Sequence, residues 1–440
     1  MILGIGFSDP LLVGMIALGL MLLLVILGVR VVFAASVVGL VGLIELLGWT
    51  GAAGIVGTVP HSKSSTYALS VLPMFIFIGF LAFHAGMTKQ LFVAARNWLG
   101  WLPGGLAVAT VFATAGFAAV SGASTATSAV FARVAIPEML RYGYDRKLAA
   151  GVVAAGGTLA TLIPPSAIIV IYAIIVEESV GKLLLAGFLP GIFSALVYAA
   201  IIVIWAKMRP EQAPAVPASS WKERFSSLPG TSPVFLVVII IISAIYSGWA
   251  TPTEAGALGA AVVFVLALLK GTRLSTIKNS LMESAKLTAM IFALIWGVLI
   301  FVRFLGFSGI PDAFTSWIVG LDLSPMMIMV LILLAYAVLG MFMDAIGMLL
   351  LTLPVVYPAV MALGFDSIWF GIIVVKMAEV CLITPPIGLN CFVVNAVRPD
   401  ISLPQVFKGI TLFFVADVLT IIGLLMFPEI VTILPELLSS

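Results

Sequence analysis

Gly156-Gly157-Thr158-Leu159-Ala160-Thr161-Leu162-Ile163-Pro164-Pro165-Ser166 and Ile383-Thr384-Pro385-Pro386-Ile387-Gly388-Leu389-Asn390 decide the reading of this chain. Each is a helix-forming apolar run broken by a proline pair. Proline has no N–H, and its ring clashes with the carbonyl four residues back, so two in succession unwind a helix. In hydrocarbon, carbonyls freed in this way can face only protein, water or a cation. A helix that restarts beyond the prolines aims the positive end of its dipole at the same place, which suits an anion.

The surroundings of the two breaks are repeated. Ile136-Pro137, Gly143-Tyr144-Asp145 and the first pair are matched by Tyr357-Pro358, Gly364-Phe365-Asp366 and the second. In both, 27 residues separate the leading proline from the pair, and 21 separate the glycine from it. Pro103 and Pro325 fit the same offset of about 222, the mark of an internal duplication. Residues 1–206 read as a first repeat, with scaffold helices, a hairpin at 103–141 and a broken span at 147–176. Residues 207–232 read as a cytoplasmic Pro/Ala/Ser-rich linker. Residues 233–440 read as a second repeat, with a hairpin at 324–361 and a broken span at 367–397.

Composition sets the solvent. Of 440 residues, 62% are hydrophobic and 9% charged, against roughly 25% charged in soluble domains. Lipid must therefore cover most of the surface, and a net charge of +2 gives no reason to expect nucleic acid. Apolar runs at 9–28, 31–48, 70–86, 183–206, 233–249, 253–270, 285–305 and 407–427 read as membrane helices. With the broken segments they predict an all-α polytopic membrane protein of about ten spans and two re-entrant hairpins. The run from Leu11 to Leu27 reads as a span rather than a cleavable leader. Cys381 and Cys391 read as buried free thiols rather than a disulfide. Trp49, Trp98, Trp101, Trp249 and Trp369 read as interfacial anchors.

Charge gives orientation. Arg133, Arg141, Arg146 and Lys147 surround the first turn, whereas no Lys or Arg occurs from Met341 to Val375. The positive-inside rule puts the first turn in the cytoplasm and the second outside, so the repeats are inverted. Arg30, Lys207, Arg209, Lys270, Arg273, Arg398 and Lys408 agree if both termini are outside; Lys63 is an exception. Inverted repeats give one shape two opposite orientations, as transporters require. Some channels also use them, and the transporter is the reading preferred here.

Each hairpin tip faces a break. Ser121-Gly122-Ala123-Ser124-Thr125 marks the first tip and Gly340-Met341-Phe342-Met343-Asp344 the second. A carboxylate at Asp344 is costly in an apolar setting unless neutralised. It reads as a sodium ligand or as a helix cap, two roles that are compatible. The first cage lacks a carboxylate, so an ion there would rest on carbonyls and on hydroxyls of Ser121, Ser124, Thr125 or Thr158. Each of those hydroxyls can equally be helix–helix glue. Lys376 and Glu379, three apart, read as a structural ion pair that Asp417 could join. Arg303 reads as snorkelling from a span end, and His61 and His84 have no metal-ligand spacing.

The chain has no GxxxxGK[ST] loop, HExxH, CxxC or nucleophile elbow. It is read as a non-enzyme driven by an ion gradient. An intramembrane enzyme would need paired catalytic groups at one depth, beyond Asp344 and the Lys376–Glu379 pair.

Over nearly its whole length the chain resembles the large membrane subunit of tripartite ATP-independent periplasmic (TRAP) transporters, the DctM family. The resemblance is carried by SGAST at 121–125, IPEMLRYGYDR at 136–146, AAGGTLATLIPPS at 154–166 and ITPPIGLNCF at 383–392. It implies a mobile transport domain that slides against a scaffold in an elevator mechanism. It also implies sodium coupling, with no cofactor beyond Na+, and import of organic acids across a bacterial inner membrane. The expected partners are a DctQ-like four-helix membrane subunit and a DctP-like periplasmic solute-binding protein. Sodium residues carried over are Ser121, Ser124, Thr125, Gly156, Thr158, Pro164, Gly340, Asp344, Thr384 and Gly388. Substrate residues are Ser124, Thr125, Ser166 and Asn390. The chain departs from the family at Ala123, where SGSS is frequent, and at Cys381, where glycine is common. An autonomous anion–sodium symporter needing no binding protein is the nearest alternative.

Overall fold

The computed structural model describes residues 9–437, and nothing but helices and loops occurs among them. The first half comprises α1 (Pro10–Ile26), α2 (Val31–Ser64), α3 (Val71–His84), α4 (Met87–Leu99), α5 (Gly105–Ser121), α6 (Ser124–Arg141), α7 (Arg146–Thr158), α8 (Ala167–Val176), α9 (Val180–Met208) and the short α10 (Trp221–Ser227). The second comprises α11 (Ser232–Tyr246), α12 (Pro252–Leu269), α13 (Leu274–Ser308), α14 (Ile310–Val319), α15 (Pro325–Gly340), α16 (Ala345–Ala362), α17 (Ser367–Cys381), α18 (Leu389–Val397), α19 (Leu403–Met426) and α20 (Glu429–Leu437). From α5 to α9 and from α15 to α19 the element order is the same: two hairpin arms, a helix, a break, a short helix and a long one.

Local chemistry sets the ends. Asp9, Asp145, Ser166, Ser179, Asp344 and Asp366 each cap a helix by accepting a backbone N–H near its start. Ser220 with Glu223, and Thr251 with Glu254, form reciprocal capping boxes, which satisfy donors that an uncapped start would leave bare. Among the described residues, seven helices are long and apolar enough to cross a membrane, or eight if the bent α10–α11 pair counts as one span. Shorter apolar helices include α1, α5, α8 and α15.

Packing separates two groups. The long α2 and α13 lie along each other, with α1 beside them, while α3 packs on α12 and α13 and α12 on α11. The hairpins and broken segments form the other group: α6 with α7 and α18, α15 with α17, and α7 with α19. The amphipathic α4 and α14 pack on hairpin arms α5 and α16. Exposed Leu, Ile, Val and Phe are spread over α1, α2, α11, α13, α15 and α19, as a lipid-covered surface requires.

The run read as 31–48 ends at Gly48, whose φ of 74° and ψ of 171° are not helical, and a second helical stretch follows it to Ser64. Two expectations are corrected. The run read as 285–305 belongs to a 35-residue helix that begins at Leu274. Trp369 is not an interfacial anchor: it is 3% exposed, and its indole donates to the Leu424 carbonyl at 3.1 Å. Trp49, Trp101 and Trp249 are exposed. Both cysteines are free and buried. Residues 1–8 and 438–440 of the expected repeats, and the side chain of Lys63, lie outside the described residues.

Candidate functional site

The first break follows α7 directly. A single 3-10 turn spans Leu159–Thr161, and the Pro164–Pro165 peptide is cis before α8 begins. Among the described residues, no backbone N–H donates to the carbonyls of Leu162, Ile163, Pro164 or Pro165. All four residues are buried. Buried carbonyls left without donors are uncommon in proteins and invite an explanation.

The second break repeats the arrangement with a different exposure. Pro385–Pro386 is cis, and the carbonyls of Thr384, Pro385, Pro386 and Ile387 likewise receive no backbone N–H. Here the two prolines are exposed. The Thr384 hydroxyl donates back to the Val380 carbonyl at 2.7 Å, and Gly388 sits at φ 51° before α18. One break is thus closed over and the other open.

The first tip sits on the first break. Gly122 has φ 56°, and a Cβ there would run into the Pro165 carbonyl. Glycine is required on both counts: only it reaches this conformation freely, and only it lets the tip approach so closely. The hydroxyls of Ser121 and Thr127 lie 2.9 Å apart. Thr125 is exposed. Gly156 and Gly157 let α7 press on Thr114 of α5 and Ser128 of α6.

Asn390 of α18 ties the halves together. Its amide donates to Ser124 Oγ at 2.8 Å and to the Ala154 carbonyl at 3.1 Å, leaving its buried Oδ1 without a partner. Ser166 caps α8, accepting from Ile169 N–H, and its hydroxyl donates to the Thr161 carbonyl. Of the residues carried over for substrate, Ser124 and Asn390 therefore bind each other, Ser166 is engaged within the break, and Thr125 faces outward.

At the second tip, Asp344 caps α16, with Oδ2 accepting from Gly347 N–H at 3.1 Å. No hydrogen bond joins it to Thr384 or Gly388 among the described residues. Gly340 packs on α17 so closely that a Cβ would overlap the Cys381 sulfur. The departure at Cys381 is thereby seated against a glycine of the tip.

Between the breaks lies a buried polar cluster. Lys376, Glu379 and Asp417 are all 0% exposed. Lys376 Nζ donates to Asp417 Oδ1 and to Ser194 Oγ, each at 2.7 Å, and lies 3.2 Å from Glu379 Oε2. The expected pair is present and Asp417 joins it. Sequence reading missed Tyr198, whose hydroxyl donates to Asp417 Oδ1 at 2.6 Å, and the 2.8 Å contact between the Thr158 hydroxyl and Glu379 Oε1. Thr158 and Glu379 are 221 positions apart, the same offset as Pro164 and Pro385, so the contact joins equivalent positions of the two repeats. His84, to which no role was assigned, lies 3.0 Å from Glu283. On the loop after α18, two hydrogen bonds from Arg398 hold the Asp400 carboxyl below the usual carboxylate range.

Residues 18–430 match the family model described as the tripartite ATP-independent periplasmic transporter, DctM component. The C4-dicarboxylate TRAP transporter large permease protein DctM of Pseudomonas aeruginosa is 39% identical over 336 residues, covering 76% of this chain and 78% of that one. Its namesake in Vibrio cholerae is 33% identical over 405 residues, covering 87% and 89%. Among solved structures, the Alcanivorax borkumensis YdaH transporter aligns with a TM-score of 0.56 at 15% identity, over 88% of this chain and 90% of that one. This last likeness is one of fold alone.

Proposed function

The chain belongs to the DctM component family of tripartite ATP-independent periplasmic transporters, and from that premise we propose a sodium-coupled importer of small organic acids in a bacterial inner membrane. Energy comes from the sodium gradient, and no catalytic chemistry is performed. The observation that carries this reading is the two sets of donor-free carbonyls, at 162–165 and 384–387. Carbonyl oxygens ranked around an unwound helix are a cation's natural ligands in a membrane interior.

In the first site, the Pro164 carbonyl and its neighbours would hold one ion, with Ser121 and Thr158 hydroxyls near. In the second, Asp344 and the Thr384–Gly388 backbone would hold another. Asp344 can serve as both cap and ligand, because the Gly347 contact uses only Oδ2. Ions fixed at the tips would hold the hairpins closed over a carboxylate, which the N-termini of α8 and α18 favour electrostatically. For Ser124 and Asn390 to reach substrate, their mutual bond must open.

The scaffold is the α1–α3 and α11–α13 group. The hairpins and broken segments move against it as one body, in an elevator step. Residues 1–206 and 233–440 are the inverted repeats, and 207–232 is a cytoplasmic linker. A DctQ-like small subunit and a DctP-like binding protein complete the system, the latter delivering substrate from the periplasm. C4-dicarboxylates are the first class to try, since both relatives described above carry that name.

The test is uptake of radiolabelled C4-dicarboxylate into proteoliposomes holding this chain and its small subunit, with the loaded binding protein outside. An inward sodium gradient should drive accumulation, and equal potassium or choline should not. Accumulation indifferent to sodium would contradict the proposal. Uptake without the binding protein would favour the autonomous symporter.

A further inference from the structure

Helices α12 and α13 are consecutive and joined by a short turn at 270–273, yet each packs on α3 rather than along the other. A groove of about 820 Å³ opens between them. Met74 and Phe77 of α3, Phe264 of α12, and Leu281, Ala285 and Phe292 of α13 are among its walls. The polar side chains that line it are Ser284, Thr288 and Trp296. Two of them point their protons elsewhere: Ser284 donates to the Ser280 carbonyl at 2.7 Å and Trp296 to Ser64 Oγ at 3.1 Å. Thr288 Oγ1 is left without a partner, and a single hydroxyl is too little to hold an ordered water, which needs two to four polar partners. Walls of this kind call for hydrocarbon.

One end of the groove is basic. On α13 the lining residues Leu281, Ala285, Thr288 and Phe292 recur at the three-and-four spacing of one helix face. Lys278 continues that face one turn towards the start of the helix, and the turn before it adds Lys270 and Arg273. All three cations are exposed, and none has an ion-pair partner among the described residues. No Asp or Glu occurs between Glu254 and Glu283, and Glu283 is taken up by His84. The positive-inside rule assigns this end to the cytoplasmic leaflet, whose surface is rich in anionic headgroups.

We propose that the groove is a binding site for an anionic phospholipid, with an acyl chain between α12 and α13 and the phosphate held by Lys278, Lys270 and Arg273. Charge complementarity selects this occupant. An apolar cleft that ends on unpaired cations matches a lipid anion at both of its ends, whereas a zwitterionic lipid would bring an ammonium to the same cations. Helices α3, α12 and α13 all lie in the proposed scaffold, so the lipid would fill a wedge in the body that stays still. The inference stands independently of the sodium reading.

Native mass spectrometry and photocrosslinking of the purified full-length chain test the site. The delipidated chain should retain dioleoyl phosphatidylglycerol in preference to dioleoyl phosphatidylcholine. A phosphatidylglycerol with a photoactivatable acyl chain should crosslink to peptides of α12 and α13. Lys278→Gln should weaken phosphatidylglycerol retention roughly fivefold, the effect of one cation beside an anionic headgroup, and leave phosphatidylcholine unchanged. Ala285→Trp, which fills the groove from an exposed position, should abolish those crosslinks.

Equal retention of the two lipids, crosslinks confined to other helices, or a preference untouched by Lys278→Gln would overturn the proposal. So would an Ala285→Trp chain that keeps its lipid but no longer binds the small membrane subunit, which would make the groove a protein interface. The lipid preference and crosslink map of the native chain decide even if a variant does not fold.

Discussion

Asp344 caps α16 and, in the proposed second site, would also hold sodium. Its Gly347 contact satisfies a backbone donor that α16 would otherwise leave bare. Replacing it by Ala should cost about 1 kcal/mol through the lost cap. Asn caps comparably but carries no charge, so Asp344→Asn separates the roles. That variant should melt with the native chain while needing roughly tenfold more sodium for half-maximal uptake, equivalent to about 1.4 kcal/mol of ion binding. Unchanged sodium dependence would remove Asp344 from the ligand set. At this scale the sequence was partly legible. Lys376 and Glu379 announce themselves because three residues is nearly one helical turn. Tyr198, Ser194 and the Ser124–Asn390 contact do not, because their partners come from distant segments that only the fold brings together.

Hairpins and breaks were the most legible elements, because proline pairs and glycine tips act on the backbone locally. Helix length was less so. The start of α13 carries Lys278, Glu283 and Lys286, charges that keep its first turns out of the apolar run although the helix begins at Leu274. Contact between the second tip and α17 was not legible at all. The structure places Gly340 against Cys381, two positions whose residue sizes must be complementary. Gly340→Ala should destabilise the chain by about 1–3 kcal/mol through overpacking. Adding Cys381→Ala should recover part of that loss, since it removes the sulfur but keeps a Cβ 2.6 Å from the added methyl, and residues in contact are energetically coupled. Thermal denaturation in detergent of both single variants and the double variant measures the coupling. Equal losses with and without the cysteine would mean that the tip accommodates the methyl elsewhere.

For the whole molecule, one design is used twice: a hairpin tip set against a helix unwound by prolines, with carbonyls left free. In this conformation the first break is enclosed and the second open. Under the proposed transport cycle, a single state would present the two like sites unequally. The account depends on the two copies pointing in opposite directions across the bilayer. Gly143 and Gly364 occupy equivalent turns, each before a capping aspartate, and both have positive φ. Each is open enough that a side chain there meets little or nothing. Labelling single cysteines at these positions with a membrane-impermeant thiol reagent, in a background lacking Cys381 and Cys391, reads the orientation directly. Residue 364 should react from the periplasmic face of intact spheroplasts and residue 143 only from the cytoplasmic face of inverted vesicles. Reaction of both from the same face would contradict the inverted architecture.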